Sequence, residues 1–195
     1  DDIFIAFPDN KESPDVVKTL LLDEIRKQGS HINIKEEKTS IYHFRNVSNG
    51  QRCFRHDTGN HCNGIAYLGF RYDGKYVYLK DATVSRFYRK LTRAVRTQAF
   101  KTANRFPGKD ANFVYERMRV DQLLQRFGRV ENFSVVEDQY RSWTFWTYVK
   151  RAAKVFPESE RRFFRQVAGY RKRARLWARQ EAEKAVRKRI ERLGV

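Results

Sequence analysis

Asp1 and Asp2 stand side by side immediately before Ile3, Phe4, Ile5, Ala6 and Phe7. Two carboxylates at the mouth of an apolar strand are costly unless a cation or strong hydrogen-bond donors neutralise them. A divalent metal is the functional solution. In phosphoryl transfer, hard cations held by carboxylates stabilise both the attacking and the leaving oxygen. Mg²⁺ suits such a site because it keeps waters and substrate phosphates among its ligands. Asp-Asp alone is a weak signal, since an isolated pair is more often a solvated turn or a helix cap. A second constellation, Cys53, His56, His61 and Cys62, puts four potential zinc ligands within ten residues of an otherwise polar stretch. His61 and Cys62 are adjacent, an awkward placement for two ligands of one tetrahedral ion. A third is the series Arg86, Arg89, Lys90, Arg93 and Arg96, whose spacing lays cations along one side of a helix.

Charge says where a polyanion would be met. The 195 residues carry a formal net charge of +18, a balance that favours nucleic acid over a small neutral substrate. Residues 1–80 hold 12 Lys/Arg against 11 Asp/Glu, whereas residues 81–195 hold 29 against 12. The excess therefore lies C-terminal to residue 80. Two Cys do not make a disulfide framework, and no run of about 18 apolar residues is present to span a bilayer. These features predict a cytoplasmic protein with no membrane partner. The opening on Asp1-Asp2, with no Met and no signal-peptide pattern, reads as a cut through a longer chain.

The elements that must position these groups follow from periodicity. Residues 3–7 are an apolar run stopped by Pro8, the form of a strand buried on both faces. Ser13 as N-cap, Pro14 as first helical residue, the stripe Val16, Val17, Leu20, Leu21 and Ile25, and Gly29 as stop predict a helix. Short extended pieces are expected at 31–34 and 41–44, with 45–63 polar and irregular. Residues 65–72 and 75–80 read as a hairpin turning at Asp73-Gly74, with Tyr76 and Tyr78 on one face and Val77 and Leu79 on the other. Asp81 is expected to cap a helix of about 20 residues with the buried line Val84, Phe87, Tyr88, Leu91, Val95 and Ala99. Further helices are expected at 112–126, 140–156 and, as one long element, 158–193. Trp143, Trp146 and Trp177 fall on apolar stripes and are expected in the core, not as base-stacking platforms. The fold class is thus α+β, near-neutral and strand-rich over 1–80, helical and basic over 81–195.

The order of these pieces resembles the palm motifs of reverse transcriptases. Asp1-Asp2 with its apolar strand resembles the end of the family's Tyr-x-Asp-Asp box. The helix and loop running to Glu37, Lys38 and Thr39 resemble the next motif, and Tyr67, Leu68, Gly69 and Phe70 in a hairpin resemble the primer grip. The resemblance implies the C-terminal part of a polymerase palm over 1–80, followed by a helical thumb that binds nucleic acid over 81–195. It also implies metal-binding Asp1 and Asp2, with Mg²⁺ as cofactor. Lys38 would protonate or screen the departing pyrophosphate. Leu68, Gly69 and Phe70 would place the primer 3′ end. Arg86, Arg89, Lys90, Arg93 and Arg96 would hold the backbone of an RNA template or a DNA product. Deoxynucleoside triphosphates would be substrates. A further metal-binding Asp of the family has no counterpart in this sequence, so the chain alone would be inactive. The stretches running from Tyr72 to Asp81, from Ser85 to Lys90 and from Trp143 to Ala152 look most like bacterial antiphage or abortive-infection members. Untemplated or protein-primed synthesis belongs to that branch too. Group II intron and retron-type enzymes stay open alternatives, as does a basic RNA- or partner-binding module that has lost polymerase chemistry. Partner subunits also use basic helix faces, which leaves a homo- or hetero-oligomer open.

Overall fold

A computed structural model describes residues 4–8, 13–29, 39–48, 50–129 and 144–193. The fold class is α+β, and the chain forms two compact units, residues 1–65 with 72–75, and residues 66–71 with 76–195.

In the first unit the helix α1 spans Pro14–Lys27 and ends before Gly29 at φ +117°. Ser13 is extended and caps through its carbonyl, which accepts from Val17 N–H at 3.2 Å, and not through its hydroxyl. The expected apolar stripe is present but none of it is fully buried: Val17, Leu21 and Ile25 are half-buried, and Val16 and Leu20 are exposed. The expected strand at 3–7 also fails over its described part. Residues 4–8 form no strand, and Phe4, Ile5 and Phe7 are exposed. A strand exists only as one partner of a pair, and no described strand pairs with this segment.

Residues 45–63 correct the sequence reading, because they are not irregular. Strands β1 (Tyr42–Val47), β2 (Gly50–Arg55) and β3 (His61–Cys62) form an antiparallel sheet in that order. Tyr42 is paired with Arg55 and Val47 with Gly50; Cys53 is paired with Cys62. Arg45, Asn46, Gln51 and Arg52 supply no apolar alternation, so the ladder is a backbone feature that a periodicity search cannot detect.

A second three-stranded sheet joins β4 (Ile65–Tyr67), β5 (Phe70–Tyr72) and β6 (Val77–Leu79). The expected reversal at Asp73-Gly74 is present, within the connection 73–76 between β5 and β6, and a second, tighter one at Leu68-Gly69 joins β4 to β5. Both Leu68 (φ +44°) and Gly69 (φ +85°) are left-handed, as a two-residue hairpin that follows the strand twist requires. Asp73 instead accepts Lys75 N–H at 2.9 Å in a looser connection. Leu79 is fully buried, as the alternation predicts. The exposed edge of β6 is closed by side chains: Gln166 accepts Leu79 N–H at 2.8 Å and donates to its carbonyl at 2.9 Å, and Ser159 accepts Val77 N–H at 2.8 Å. The Gln166 amide thus occupies the place of a neighbouring strand's peptide.

Helix α2 (Asp81–Arg105) starts on Lys80 as N-cap, with Asp81 in its first turn. Phe87, Leu91, Val95 and Ala99 are buried along the expected line. Their partners include Ala174, Ala178, Ala182 and Ala185 of α7 (Tyr170–Leu193), whose small side chains let the two helix axes approach closely. The helix expected at 112–126 is two, α3 (Ala111–Arg117) and α4 (Val120–Gly128), separated at Arg119 with φ +49°. Met118 and Val120 are both buried. Two residues apart on one helix would lie on opposite faces, so the break is what sends both inward. Helix α5 spans Phe145–Val155 and is capped by the Thr144 side chain, which accepts from Thr147 N–H at 3.2 Å. The single helix expected at 158–193 is also divided. A 3-10 turn (Pro157–Ser159) leads into α6 (Glu160–Val167), and Gly169 at φ +77° separates α6 from α7. A second cluster of Leu79, Val149, Ala152, Phe163 and Val167 fills the space between β6, α5 and α6. Trp146 and Trp177 pack against the core as expected; Trp143 lies outside the described residues. Among the described residues no helix is long and apolar enough to cross a membrane.

Candidate nucleic-acid interface

Burying one face of α2 leaves its basic residues on the other. Arg86, Arg89, Lys90 and Arg93 are exposed, and none of the four forms an ion pair with a described carboxylate. Arg96 differs. Its Nε lies 3.1 Å from Glu181 on α7, and Lys184 Nζ lies 3.1 Å from the other Glu181 oxygen. Glu181 is buried. Burial pushes its carboxyl up, but the hydrogen bonds from Lys184 and Arg96 outweigh it and hold the pKa below the usual glutamate value. Arg96 therefore neutralises an internal charge as well as presenting one.

The exposed cations do not form one flat face. Arg86 and Lys90 line a recess of about 320 Å³ with Arg126 of α4 and the rings of Phe87, Phe127 and Phe145. Arg126 also lines a larger groove of about 660 Å³ between α2 and α3–α4, with Lys101, Arg105, Arg117 and Arg119. Gln98, Gln122 and Thr102 add uncharged hydrogen-bonding groups, and neither lining includes a carboxylate. The two recesses share Arg126, so their cationic linings meet at that side chain and together form a track. Arg89 and Arg93 are outside both linings.

Lys101, Arg105, Arg117, Arg119 and Arg126 were not among the residues singled out from sequence. Each is an ordinary cation of a helix or a helix end. What gathers them is the break at Arg119, which folds α4 back beside α2. Several cations of α6 and α7 make contacts within the protein, as Arg105 and Arg117 do over the rings of Phe106 and Phe113. Arg162 lies over the Tyr76 ring at 4.4 Å and Arg173 over Tyr88 at 5.2 Å, while Arg175 pairs with Asp121 at 2.8 Å.

The hairpin tip splits the expected trio. Phe70 belongs to the core, stacked on Tyr148 at 5.3 Å and edge-on to Phe156 and Phe163. Leu68 is 67% exposed with a left-handed backbone, so it is the residue of the three presented outward. Gly69 is held between: its carbonyl accepts Lys80 N–H at 2.9 Å, and a Cβ there would sit 3.0 Å from the Tyr148 hydroxyl. Burial pushes that hydroxyl's pKa up to about 12.

Asp1, Asp2 and Lys38 lie outside the described residues. The zinc constellation is not assembled. Cys53 and Cys62 meet, but His56 turns to His43, Nδ1 to Nε2 at 2.6 Å, and to Asp15 at 3.3 Å. His61 lies edge-on to Phe54. Among the described residues no group of three or more His, Cys, Asp or Glu could hold a metal ion. Compared with known proteins, the chain matches no family model and no curated sequence.

Proposed function

We propose that the helical unit grips the sugar-phosphate backbone of nucleic acid, as the thumb region of a reverse-transcriptase-like DNA polymerase. The observation that carries the binding part is the carboxylate-free track from Arg86 and Lys90 through Arg126 to Lys101, Arg105, Arg117 and Arg119. Grooved guanidinium and ammonium groups bind phosphates by charge and by counterion release, without reading sequence. Arg117 and Arg119, at the α3–α4 junction, present planar donors that suit phosphate oxygens. The polymerase part rests on the ordered resemblance of Asp1-Asp2, Glu37-Lys38-Thr39 and Tyr67-Leu68-Gly69-Phe70. In that reading Asp1 and Asp2 bind Mg²⁺, and the bound metal supplies charge neutralisation for transfer of a deoxynucleotide onto a primer. Lys38 stands by the departing pyrophosphate. The exposed Leu68 contacts the primer end, with Gly69 and Phe70 fixing the hairpin from below. Antiphage defence is the setting that the resemblance suggests.

Binding of an RNA–DNA hybrid measured against salt tests the first part. Reversing Lys90 and Arg126 to Glu should weaken binding equally for all sequences and reduce the salt slope by about one for each phosphate that is no longer neutralised. Reversing Arg173, which covers Tyr88, serves as the control outside the track. Unchanged affinity in the Lys90, Arg126 variant would remove the track as the interface. Magnesium-dependent incorporation of labelled deoxynucleotides by the longer protein that the resemblance implies, abolished by Asp1→Asn with Asp2→Asn, tests the second part. Binding without incorporation would favour the basic-module reading.

A further inference from the structure

Cys53 and Cys62 play no part in the proposed nucleic-acid grip, yet the sheet of the first unit brings them into contact. They are a register pair across β2 and β3, and their sulfurs are 2.6 Å apart. Both are free thiols, Cys53 buried and Cys62 half-buried. The link between the two strands is already closed by backbone hydrogen bonds. Arg55 N–H donates to Asn60 O at 2.9 Å and Gly59 N–H to Arg55 O at 2.9 Å. Gly64 N–H donates to the Cys53 sulfur. Gly64 has φ +112°, and a Cβ there would collide with the Tyr72 carbonyl, so only glycine lets the chain turn here and present that N–H. The sulfurs thus need no backbone movement to bond.

We propose that Cys53 and Cys62 are a redox-responsive dithiol, oxidised by a peroxide to a cross-strand disulfide that locks β3 onto β2. The half-buried Cys62 meets the oxidant. Its sulfur attacks one peroxide oxygen, the O–O bond breaks, and Cys62 becomes a sulfenic acid as hydrogen peroxide is reduced to water. Cys53 then attacks the Cys62 sulfur. The S–S bond forms, the S–O bond breaks, and the hydroxyl leaves with the Cys53 proton as a second water. Burial, with the neighbouring sulfur adding to it, pushes the Cys53 thiol up to about 12. Cys53 is therefore the less reactive thiol towards the oxidant, and its contact with the Cys62 sulfur is what places it to resolve the sulfenic acid. Because β3 is only two residues long, a covalent tie at one of them constrains the whole strand.

The test is a titration of the reduced full chain with hydrogen peroxide, followed by thiol counting under denaturing conditions, intact mass and peptide mapping. Both thiols should disappear together, the mass should fall by two hydrogens, and one dithiothreitol-sensitive peptide should link the two strands. The oxidised chain should also unfold several degrees higher than the reduced one. In Cys53→Ser the reaction should stop at Cys62 sulfenic acid, trapped by dimedone. A wild-type product that instead gains oxygen on Cys62, or that cross-links between chains, would overturn the proposal. So would survival of both thiols at peroxide levels that oxidise glutathione. The wild-type result decides the matter even if Cys53→Ser fails to fold.

Discussion

Helices α1 and α2 carry the same kind of apolar stripe, yet one leaves it at most half-buried and the other builds a core. Val16, Val17, Leu20, Leu21 and Ile25 are spaced as well as Phe87, Leu91, Val95 and Ala99. The difference is the partner. α2 meets the alanine face of α7 and the side chains of α3 and α4, whereas no residue of α1 is buried. Amphipathic spacing states which face a helix would hide; it does not state that anything is there to hide it.

The sharpest way to break that comparison is to truncate one leucine on each helix. Leu91→Ala, at a fully buried site, should cost about 2–5 kcal/mol in denaturant unfolding. Leu20→Ala, at an exposed site, should stay within about 0.5 kcal/mol. Equal losses would mean that α1 has a buried face after all.

A smaller contrast separates two left-handed glycines. Gly59 (φ +66°) has open space around it, whereas a Cβ at Gly69 (φ +85°) would press on the Tyr148 hydroxyl. Both Gly→Ala changes should lose about 1–2 kcal/mol from the backbone alone. Gly69→Ala should lose more than Gly59→Ala, and adding Tyr148→Phe should recover only that surplus. No recovery would place the whole cost in the backbone.

The smallest effect compares ion pairs. Arg26–Asp23 and Lys27–Glu24 on α1 are exposed at both ends, while Glu181 between Arg96 and Lys184 is buried. Exposed pairs contribute little. The folded pKa of Glu181 lies below its usual value. Its contribution is therefore present above the ordinary glutamate range and is lost as pH falls through the lower folded value. Glu181→Gln should lower stability by about 1 kcal/mol near neutral pH, since the two cations that it answers stay solvated, and should flatten the acid limb of the stability curve.

Legibility differed along the chain for physical reasons. The core line of α2, the burial of Leu79 and the packing of Trp146 and Trp177 were readable because a buried face must be apolar at the period of its element. The breaks at Arg119 and Gly169 were not, because the apolar stripe continues on both sides and only packing requires the turn. Of the first sheet only the start of β1 was readable, at 41–44; β2 and β3 escaped because Gln51, Arg52, Arg55 and His61 break any apolar alternation. At the second sheet the Asp73-Gly74 turn was readable from its residue types, whereas the added turn at Leu68-Gly69 was not, and it accompanies the packing of Phe70 on Tyr148, Phe156 and Phe163.

Composition and periodicity alone determined the α+β class, the concentration of cationic residues beyond residue 80, and which side of α2 is basic, since all three depend on residue type and local spacing. Tertiary structure decided the rest: that Arg126 joins two recesses into one track, that Arg96 answers Glu181, and that Cys53 touches Cys62. Each of these joins residues distant along the chain or across a turn, and only the folded backbone sets those distances.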